Sequence, residues 1–385
     1  MRQGWETKLL GEVGTFQRGG GFLKSDYVDE GFPCIHYGQI HTTLGVATSS
    51  HLTCIPETLA KSKSKLAQKG DVIIAITSED IEGSCKCTAW LGNYDVAVGG
   101  HTAIFHHCLN PVFVSYYFRG NHFGQAKEKY ARGFKVVEIK PSDIAGIDIS
   151  FPPLPEQERI VAELGLLSGI IDRQKEQLKE LDILSQSVFY DMFGDPIEND
   201  RGWDVFQLSE IGTIVSGSTP STTEEGNWDG NVNWVTPAEL GTQLFYGETE
   251  RRISEQAAKR LTMMPVGTVL LSSRAPIGKL AISTVPMCCN QGFKNIICGK
   301  RVNNIFLYFY LMLTMDNIKA LGRGATFKEV SKQAISAYRA IIPPITLQRS
   351  FAETIQAIEN QKETINKAIK ETQTLFDYTM DKYFG

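Results

Sequence analysis

The chain repeats itself, and this repeat limits the folds that it can adopt more than any other feature of the sequence. The segment WETKLLGEVG at 5–14 corresponds to WDVFQLSEIG at 203–212 at an offset of 198. Further along, an offset of 191 relates three matches: Pro152 and Pro343, Gln157 and Gln348, and Phe193-Gly194 and Phe384-Gly385. The 385 residues are therefore predicted to form two similar units of roughly 190 residues each. The change of offset from 198 to 191 indicates a few net deletions inside the unit.

Each copy has two parts of different character. Its first part, about 150 residues long, contains short β-rich runs such as VIIAI at 72–76 between clusters of Gly, Pro, Ser and Thr, a pattern typical of a mixed, mostly β domain. Its last part, roughly 40 residues, has apolar residues at spacings of three, four or seven, which predicts one long helix with a narrow apolar seam. The predicted seam positions are Ile160, Leu164, Leu167, Ile171, Leu178, Leu181 and Val188 in the first helix, and Phe351, Ile355, Ile358, Ile365, Ile369 and Met380 in the second.

The proline pairs at 152–153 and 343–344 are expected to lead the chain out of each domain, because proline and its preceding residue disfavour helix continuation. Pro155 suits a first helical turn, and Thr346 is expected to cap the second helix. Neither helix is expected to have a globular core of its own to lie on. The two seams are therefore predicted to pair with each other as an antiparallel coiled coil.

The predicted fold class is α+β, with a pseudo-two-fold internal repeat. Its four segments are a mixed domain at 1–150, a long helix at 151–196, a second mixed domain at 197–341 and a second long helix at 342–385.

Composition is ordinary for a globular protein, with 42% apolar and 21% charged residues. The first ten residues, MRQGWETKLL, lack the apolar core of a secretory signal, and the apolar runs are too short to span a membrane. Eight cysteines without a regular spacing are typical of a reduced compartment. We therefore expect a cytoplasmic protein without membrane contact.

The net charge of −4 is unevenly distributed along the chain. Residues 151–200 hold 4 Lys and Arg against 11 Asp and Glu, a net of −7. The remaining residues are close to neutral or basic in sum, so a local basic patch for nucleic acid is possible on the domains.

Several phrases, in this order and duplication, resemble the specificity subunit of type I restriction-modification systems. They are PPLPEQERI at 152–160, MFGDP at 192–196, SSRAPIGKLAI at 272–282 and NQGFKNI at 290–296. The second copy departs from the pattern, with TLQR at 346–349 in place of PEQE at 155–158. The resemblance implies two target recognition domains that each read half of a split sequence in double-stranded DNA. It also implies helices that set the gap and bind two methyltransferase subunits, with restriction/translocase subunits completing the complex.

Candidate DNA contacts are basic side chains in Gly-, Ser- and Thr-rich loops, where the backbone can approach phosphate. They are Arg18, Lys24, Arg132 and Lys135 in the first domain, and Arg274, Lys279, Lys294, Arg323 and Lys328 in the second. Arginine suits guanine edges and Asn or Gln suits adenine. The alternative for each is an ordinary solvated charge, and for Asn290 and Gln291 it is a structural turn.

Other signals favour structure over chemistry. The runs His106-His107-Cys108 and Cys85-Lys86-Cys87 lack the second ligand pair of a closed zinc site, so buried thiols are the preferred interpretation and no metal is expected. Trp90, Trp228 and Trp234 are more typical of a core than of base stacking. The sequence shows no phosphate-binding loop, dinucleotide fingerprint or adenine-methyltransferase motif.

We therefore expect a chain that is not an enzyme by itself and holds no cofactor. S-adenosylmethionine, ATP and Mg²⁺ would be bound by the partner subunits that the resemblance implies. The main alternative is a scaffold without a DNA role, in which a coiled coil joins two interaction domains. An enzyme is the third possibility, and it would turn over substrate without partners.

Overall fold

A computed structural model describes residues 4–63, 65–133, 135–274, 276–322 and 329–385. The chain divides into two compact units. The first unit comprises Met1–Lys175 together with Lys367–Gly385, and the second comprises Glu176–Asn366. Each long helix is thus shared between the units, which differs from a division into four consecutive segments.

The first unit consists of short strands and helices that lead into the first long helix. Its strands are β1 (Glu6–Leu9), β2 (Gly14–Arg18), β3 (Phe32–Ile35), β4 (Ala47–Thr48), β5 (Thr53–Ile55), β6 (Lys65–Ala67), β7 (Val72–Ala75), β8 (Thr77–Ser78), β9 (Cys87–Trp90), β10 (Val96–Val98), β11 (Thr102–His107), β12 (Val137–Glu138) and β13 (Asp148–Phe151). Its helices are α1 (Leu10–Val13), α2 (Tyr37–Thr42), α3 (Glu57–Lys63), α4 (Pro111–Tyr117), α5 (Asn121–Glu128), α6 (Pro141–Ile144) and the start of α7 (Leu154–Phe193), with a 3-10 turn at Lys24–Asp26.

The second unit has the same kind of sequence of elements. Its strands are β14 (Val205–Gln207), β15 (Gly212–Ser216), β16 (Trp228–Val235), β17 (Phe245–Tyr246), β18 (Arg251–Ile253), β19 (Val269–Leu271), β20 (Leu280–Ser283), β21 (Met287–Cys289), β22 (Lys294–Cys298) and β23 (Arg339–Ile341). Its helices are α8 (Leu208–Ile211), α9 (Glu255–Ala258), α10 (Asn304–Leu313), α11 (Met315–Ala320), α12 (Lys332–Ala337) and the start of α13 (Ile345–Phe384).

Strand order and register show that the sequence repeat is also a structural repeat. A five-stranded sheet has the order β2-β11-β7-β9-β4 in the first unit and β15-β22-β19-β20-β17 in the second. Cys34 on β3 lies opposite Thr53 in the first unit. Trp234 on β16, at the corresponding position, lies opposite Arg251 in the second. The expectation of an α+β fold with two repeated domains is confirmed.

The central strand β7 explains the apolar run at 72–76. Because successive side chains of a strand point to opposite faces, Val72 and Ile74 pack with the helix residue Phe113 in one core cluster. Ile73 and Ala75 belong to a second cluster on the other face of the sheet. A strand buried on both faces reads as a continuous apolar run rather than an alternating one.

The ends of the long helices are parts of the globular cores. Ile160 and Leu164 lie in the core of the first unit, and Phe351, Ile355 and Ile358 lie in that of the second. The expectation that these helices have no globular core to lie on is wrong, because aromatic residues of the domains reach them. In the second unit the ring of Phe306 on α10 stacks 5.6 Å from that of Phe189 on α7.

Towards the middle of the helices the seam is less deeply covered. Ile171 is buried, and the other predicted seam residues are half-buried: Leu167, Leu178, Leu181, Val188, Ile365 and Ile369.

Within the second unit, α7 and α13 run antiparallel. Lys362 Nζ lies 2.7 Å from Asp182 Oδ1, and the Phe351 ring lies 5.6 Å from that of Phe189. Moving forward along α7 therefore means moving backward along α13.

A buried glutamine ties the start of α7 to the first domain. Gln157 Oε1 accepts a hydrogen bond from the Asn110 N–H at 2.9 Å, and its Nε2 donates to the Pro152 carbonyl at 2.8 Å. Asn110 in turn caps α4 through its side-chain oxygen. The proline pair and the glutamine thus form one joint between the long helix and the end of a short one.

The same joint recurs at the start of α13. Gln348 Oε1 accepts from the Asn303 N–H at 2.8 Å, and its Nε2 donates to the Pro343 carbonyl at 2.7 Å. Because α13 begins at Ile345, Thr346 lies inside the helix at the position that Pro155 occupies in α7. The expectation that Thr346 caps the helix is therefore wrong.

Replacing Gln157 by leucine is expected to destabilise the first unit by about 2–4 kcal/mol, because it leaves the Asn110 N–H and the Pro152 carbonyl buried without partners. Urea unfolding of the full chain measures the change. Gln177→Leu, at an exposed position of the same helix, is the matched control and is expected to stay within about 0.5 kcal/mol of wild type. Equal stability of the two variants would contradict the joint.

Candidate nucleic-acid interface

Two glycine-rich loops meet at one edge of the first unit. Gly19 N donates to the Thr102 carbonyl at 2.9 Å, and Gly20 N donates to that of Val98 at 2.7 Å. A Cβ at Gly19 would overlap the Gly99 carbonyl oxygen. Only a residue without a side chain lets the two backbones come this close, so the backbone of the loop after β2 packs directly against that of the loop before β11.

Arg18 links these loops to a third segment. Its Nε donates to the Gly100 carbonyl at 3.2 Å, and its Nη2 lies 3.0 Å from Glu138 Oε1 on β12. The Glu138 side chain is 36% exposed and that of Arg18 is 52% exposed. The result is a partly open ion pair at the edge of the unit.

A cleft of about 660 Å³ lies in the same region. It is lined on one side by the aromatic and imidazole rings of Tyr37, His41 and His101, with Tyr37 5.1 Å from His101. Lys86 and three acidic residues from the 79–82 segment also line it. Such a mixture of ring faces, donors and acceptors is suited to flat, polar ligand groups such as base edges.

A buried lysine positions one wall of this cleft. Lys127 Nζ donates to the carbonyls of Ser84 at 2.6 Å and Glu82 at 2.9 Å. Burial lowers the pKa of Lys127, although nearby acidic groups and thiols oppose this shift. The ammonium therefore fixes the 79–86 loop from inside, at a cost in desolvation.

The second unit contains a related cluster. Glu329 forms a backbone bridge with Arg274, and its Oε1 lies 3.2 Å from Lys294 Nζ. The same ammonium lies 3.2 Å from Ser273 Oγ. Lys279 follows Arg274 closely in sequence, and its Nζ donates to the Ala238 carbonyl at 3.0 Å.

Lys294 requires a correction. The sequence suggested a direct DNA contact, but the Lys294 side chain is only 8% exposed and its ammonium contacts groups of its own unit. A buried ammonium beneath a carboxylate cannot reach a phosphate, so Lys294 supports Glu329 instead.

The other candidate residues differ in exposure. Lys24 and Lys135 are exposed. Arg132 is 62% exposed, with Nη2 3.4 Å from Asp143 Oδ2. Arg274 and Lys279 are partly exposed, while Arg323 and Lys328 lie outside the described residues.

The amide pair at 290–291 has structural partners. Asn290 Oδ1 accepts from the Gly292 N–H at 2.9 Å, which closes a turn, and Gln291 Oε1 accepts from the Thr219 hydroxyl.

The tryptophans are mainly structural. Trp90 and Trp234 are buried. The Arg251 guanidinium lies 3.7 Å from the ring centroid of the half-buried Trp228 and 5.4 Å from that of Trp234, a stacking contact that sequence reasoning missed.

The cysteines and histidines raised the question of zinc. In the part of the chain that the structure describes, no group of three or more His, Cys, Asp and Glu side chains is placed to bind a metal ion. Cys85 and Cys87 are buried, and burial raises the pKa of Cys85 to about 12.

Sequence reasoning also missed Glu138, Glu329 and Lys127. The two glutamates were detectable, because the offset of 191 that relates Arg132 to Arg323 also relates Glu138 to Glu329. Lys127 carries no sequence signal, since its role depends on carbonyl groups more than forty residues away.

A sequence profile of the family described as the type I restriction modification DNA specificity domain matches residues 2–182 and 200–373. The chain belongs to this family. Each of the two matched segments covers most of one copy of the repeat.

Individual relatives agree with this assignment. The chain is 36% identical over 172 residues to the type I restriction enzyme MjaIX specificity subunit of Methanocaldococcus jannaschii, a match that covers 42% of this chain and 40% of that one. It is 25% identical over 293 residues to the putative MjaX specificity subunit of the same organism, covering 69% and 67%. The matched part is thus less than half the length of the MjaIX subunit.

A solved chain from a study of complex assembly and conformational transition of the type I R-M system has the same fold. The TM-score is 0.63 at 21% identity, and the match covers 100% of this chain and 98% of that one. Among the described residues, no helix is both long enough and apolar enough to cross a bilayer.

Replacing Lys127 by methionine is expected to destabilise the first specificity domain by about 1–3 kcal/mol, since two carbonyls lose their donor. Faster hydrogen exchange of the 79–86 amides is the local readout. Lys61→Met, at an exposed position, should leave both quantities unchanged.

The contribution of Lys127 to stability is expected to change with pH in a definite direction. The folded-state pKa of Lys127 is lowered, so near the ordinary lysine value of about 10.4 the unfolded chain binds more protons. The stability of wild type relative to Lys127→Met is therefore expected to rise as the pH approaches that value. A relative stability that falls over this range would contradict the buried, desolvated ammonium.

Proposed function

We propose that this chain is the DNA-recognition subunit of a type I restriction-modification complex, in which each unit reads one half of a split target in double-stranded DNA. Family membership supports a role in DNA specificity. The observation that carries the finer proposal is the repeat itself, in which one topology presents different side chains at corresponding positions. Arg18 corresponds to Ser216, and Ala103, opposite Arg18, corresponds to Lys294, opposite Ser216.

Because the two readers differ, the target is asymmetric. Paired readers on one scaffold recognise half-sites at a separation that the scaffold sets. In this proposal the long helices form an antiparallel coiled coil that relates the units by a pseudo-two-fold axis. A helix of 40 residues is about 60 Å long at 1.5 Å per residue, enough to fix a gap whose bases are not read.

The helices are also proposed to dock two methyltransferase subunits, with restriction/translocase subunits joining them. The net charge of −7 over residues 151–200 favours contact with protein over contact with phosphate. The chemistry, with S-adenosylmethionine, ATP and Mg²⁺, would belong to those partners, and this chain would supply recognition.

Phosphate contacts are proposed for the basic side chains at the glycine-rich edge of each unit. They are Arg18, Lys24, Arg132 and Lys135 in the first unit, Arg274 and Lys279 in the second, and Arg323 and Lys328 beyond the described residues.

The test is the binding of duplex DNA to the chain in complex with its methyltransferase partner, measured by fluorescence anisotropy as a function of salt. Affinity is expected to fall steeply, since each neutralised phosphate contributes about −0.9 to the slope of log K against log salt. The double variant Lys24→Ala, Lys135→Ala is expected to reduce the slope by about 2.

Lys300→Ala is the matched control. This variant removes an exposed lysine that lies just beyond the C-terminal end of β22, whereas Lys294 is at the N-terminal end of that strand. The slope should therefore not change. A complex that assembles but binds DNA without salt dependence would favour the scaffold without a DNA role, and turnover by the isolated chain would favour an enzyme.

A further inference from the structure

We propose that Glu138 and Glu329 are specificity-determining residues, each of which accepts a hydrogen bond from the amino group of a cytosine in its own half of the target. The proposal rests on the proposed function, since it assigns chemistry to the same DNA-reading edge.

The two glutamates occupy the same structural position. Glu138 on β12 lies opposite Thr77 in the antiparallel pair β8–β12. Glu329 forms an antiparallel bridge with Arg274. Thr77 and Arg274 correspond in the repeat segments KGDVIIAITS at 69–78 and VGTVLLSSRA at 266–275. One backbone site therefore carries a glutamate in both units.

The cation that holds each glutamate comes from a different strand. In the first unit it is Arg18 on β2, at 3.0 Å. In the second it is Lys294 on β22, at 3.2 Å. The positions that would exchange these roles hold Ala103 and Ser216 instead. The carboxylate is retained while its partner has changed strand, which indicates that the carboxylate is the functional member of the pair.

Each glutamate side chain is partly exposed. The side chains of Glu138 and Glu329 are 36% and 44% exposed, whereas Lys294 beneath Glu329 is 8% exposed. Arg18 Nη2 lies 3.0 Å from Glu138 Oε1, and that oxygen is itself buried and receives no hydrogen bond of good geometry among the described residues. The ion pair thus neutralises charge from the buried side of the carboxylate, and we assign the contact with DNA to the other oxygen, Oε2.

This chemistry selects the ligand group. A carboxylate on a DNA-binding face is repelled by phosphate, so it needs both a neutralising cation and a donor on the DNA. Glutamate and aspartate accept from cytosine N4 in the major groove. Exposed cations nearby in the first unit, at Arg132 and Lys135, are suited to the flanking phosphates.

The test replaces the chromosomal gene with Glu138→Gln or Glu329→Gln and sequences modified bases across the genome. Glutamine keeps the size of the side chain but pairs best with adenine. Glu138→Gln is expected to change one position in one half of the methylated motif, with at least about a tenfold loss of discrimination for cytosine and a gain for adenine. Glu329→Gln is expected to change one position in the other half only.

Glu128→Gln, at the exposed end of α5, is the matched control and should leave the motif unchanged. Thermal unfolding of each purified variant accompanies the sequencing. If a glutamine variant does not fold, Glu138→Asp and Glu329→Asp withdraw the carboxylate by one methylene and are expected to relax the same positions.

Two results would overturn the proposal. One is an unchanged motif in folded variants, and the other is a uniform loss of methylation at every site together with a lower melting temperature, as expected of a purely structural ion pair. A wild-type strain without any gapped motif that depends on this gene would instead overturn the proposed function on which the inference rests.

Discussion

The buried glutamine at the start of each long helix is the interaction on which the rest of the structure depends. Gln157 and Gln348 each join three elements: the proline pair that ends a domain, the capped start of a short helix, and the first turn of a helix of 40 residues. A side-chain amide can do this because it donates and accepts at once. The direction in which each long helix leaves its domain is therefore fixed by the hydrogen bonds of a buried side chain.

Duplication with divergence explains how one architecture can carry two different sets of surface side chains. The strand order and the glutamine joint are the same in both units, whereas the side chains at the glycine-rich edge differ. The ion pairs at Glu138 and Glu329 show this most clearly, because the same backbone position is served by cations from different strands. Such a framework can change what it recognises without changing how it folds.

The parts that could be predicted from sequence are those encoded by local pattern. The repeat and the two long helices follow from spacing alone, because apolar periodicity reflects which face of an element is buried. The core beneath the helix ends could not be predicted, since it depends on aromatic residues such as Phe306 that are distant in sequence. The burial of Lys294 was missed for the same reason, because a basic residue in a glycine-rich loop has the same local pattern whether it points outward or beneath a glutamate.

The central claim is that this chain directs methylation to a split, asymmetric DNA sequence. The most direct measurement is modified-base sequencing of the host genome with the gene present and with it deleted, under conditions where the methyltransferase partner is expressed. The account predicts a two-part, gapped, asymmetric methylated motif that disappears on deletion and returns on complementation. Methylation that is identical in both strains would contradict it.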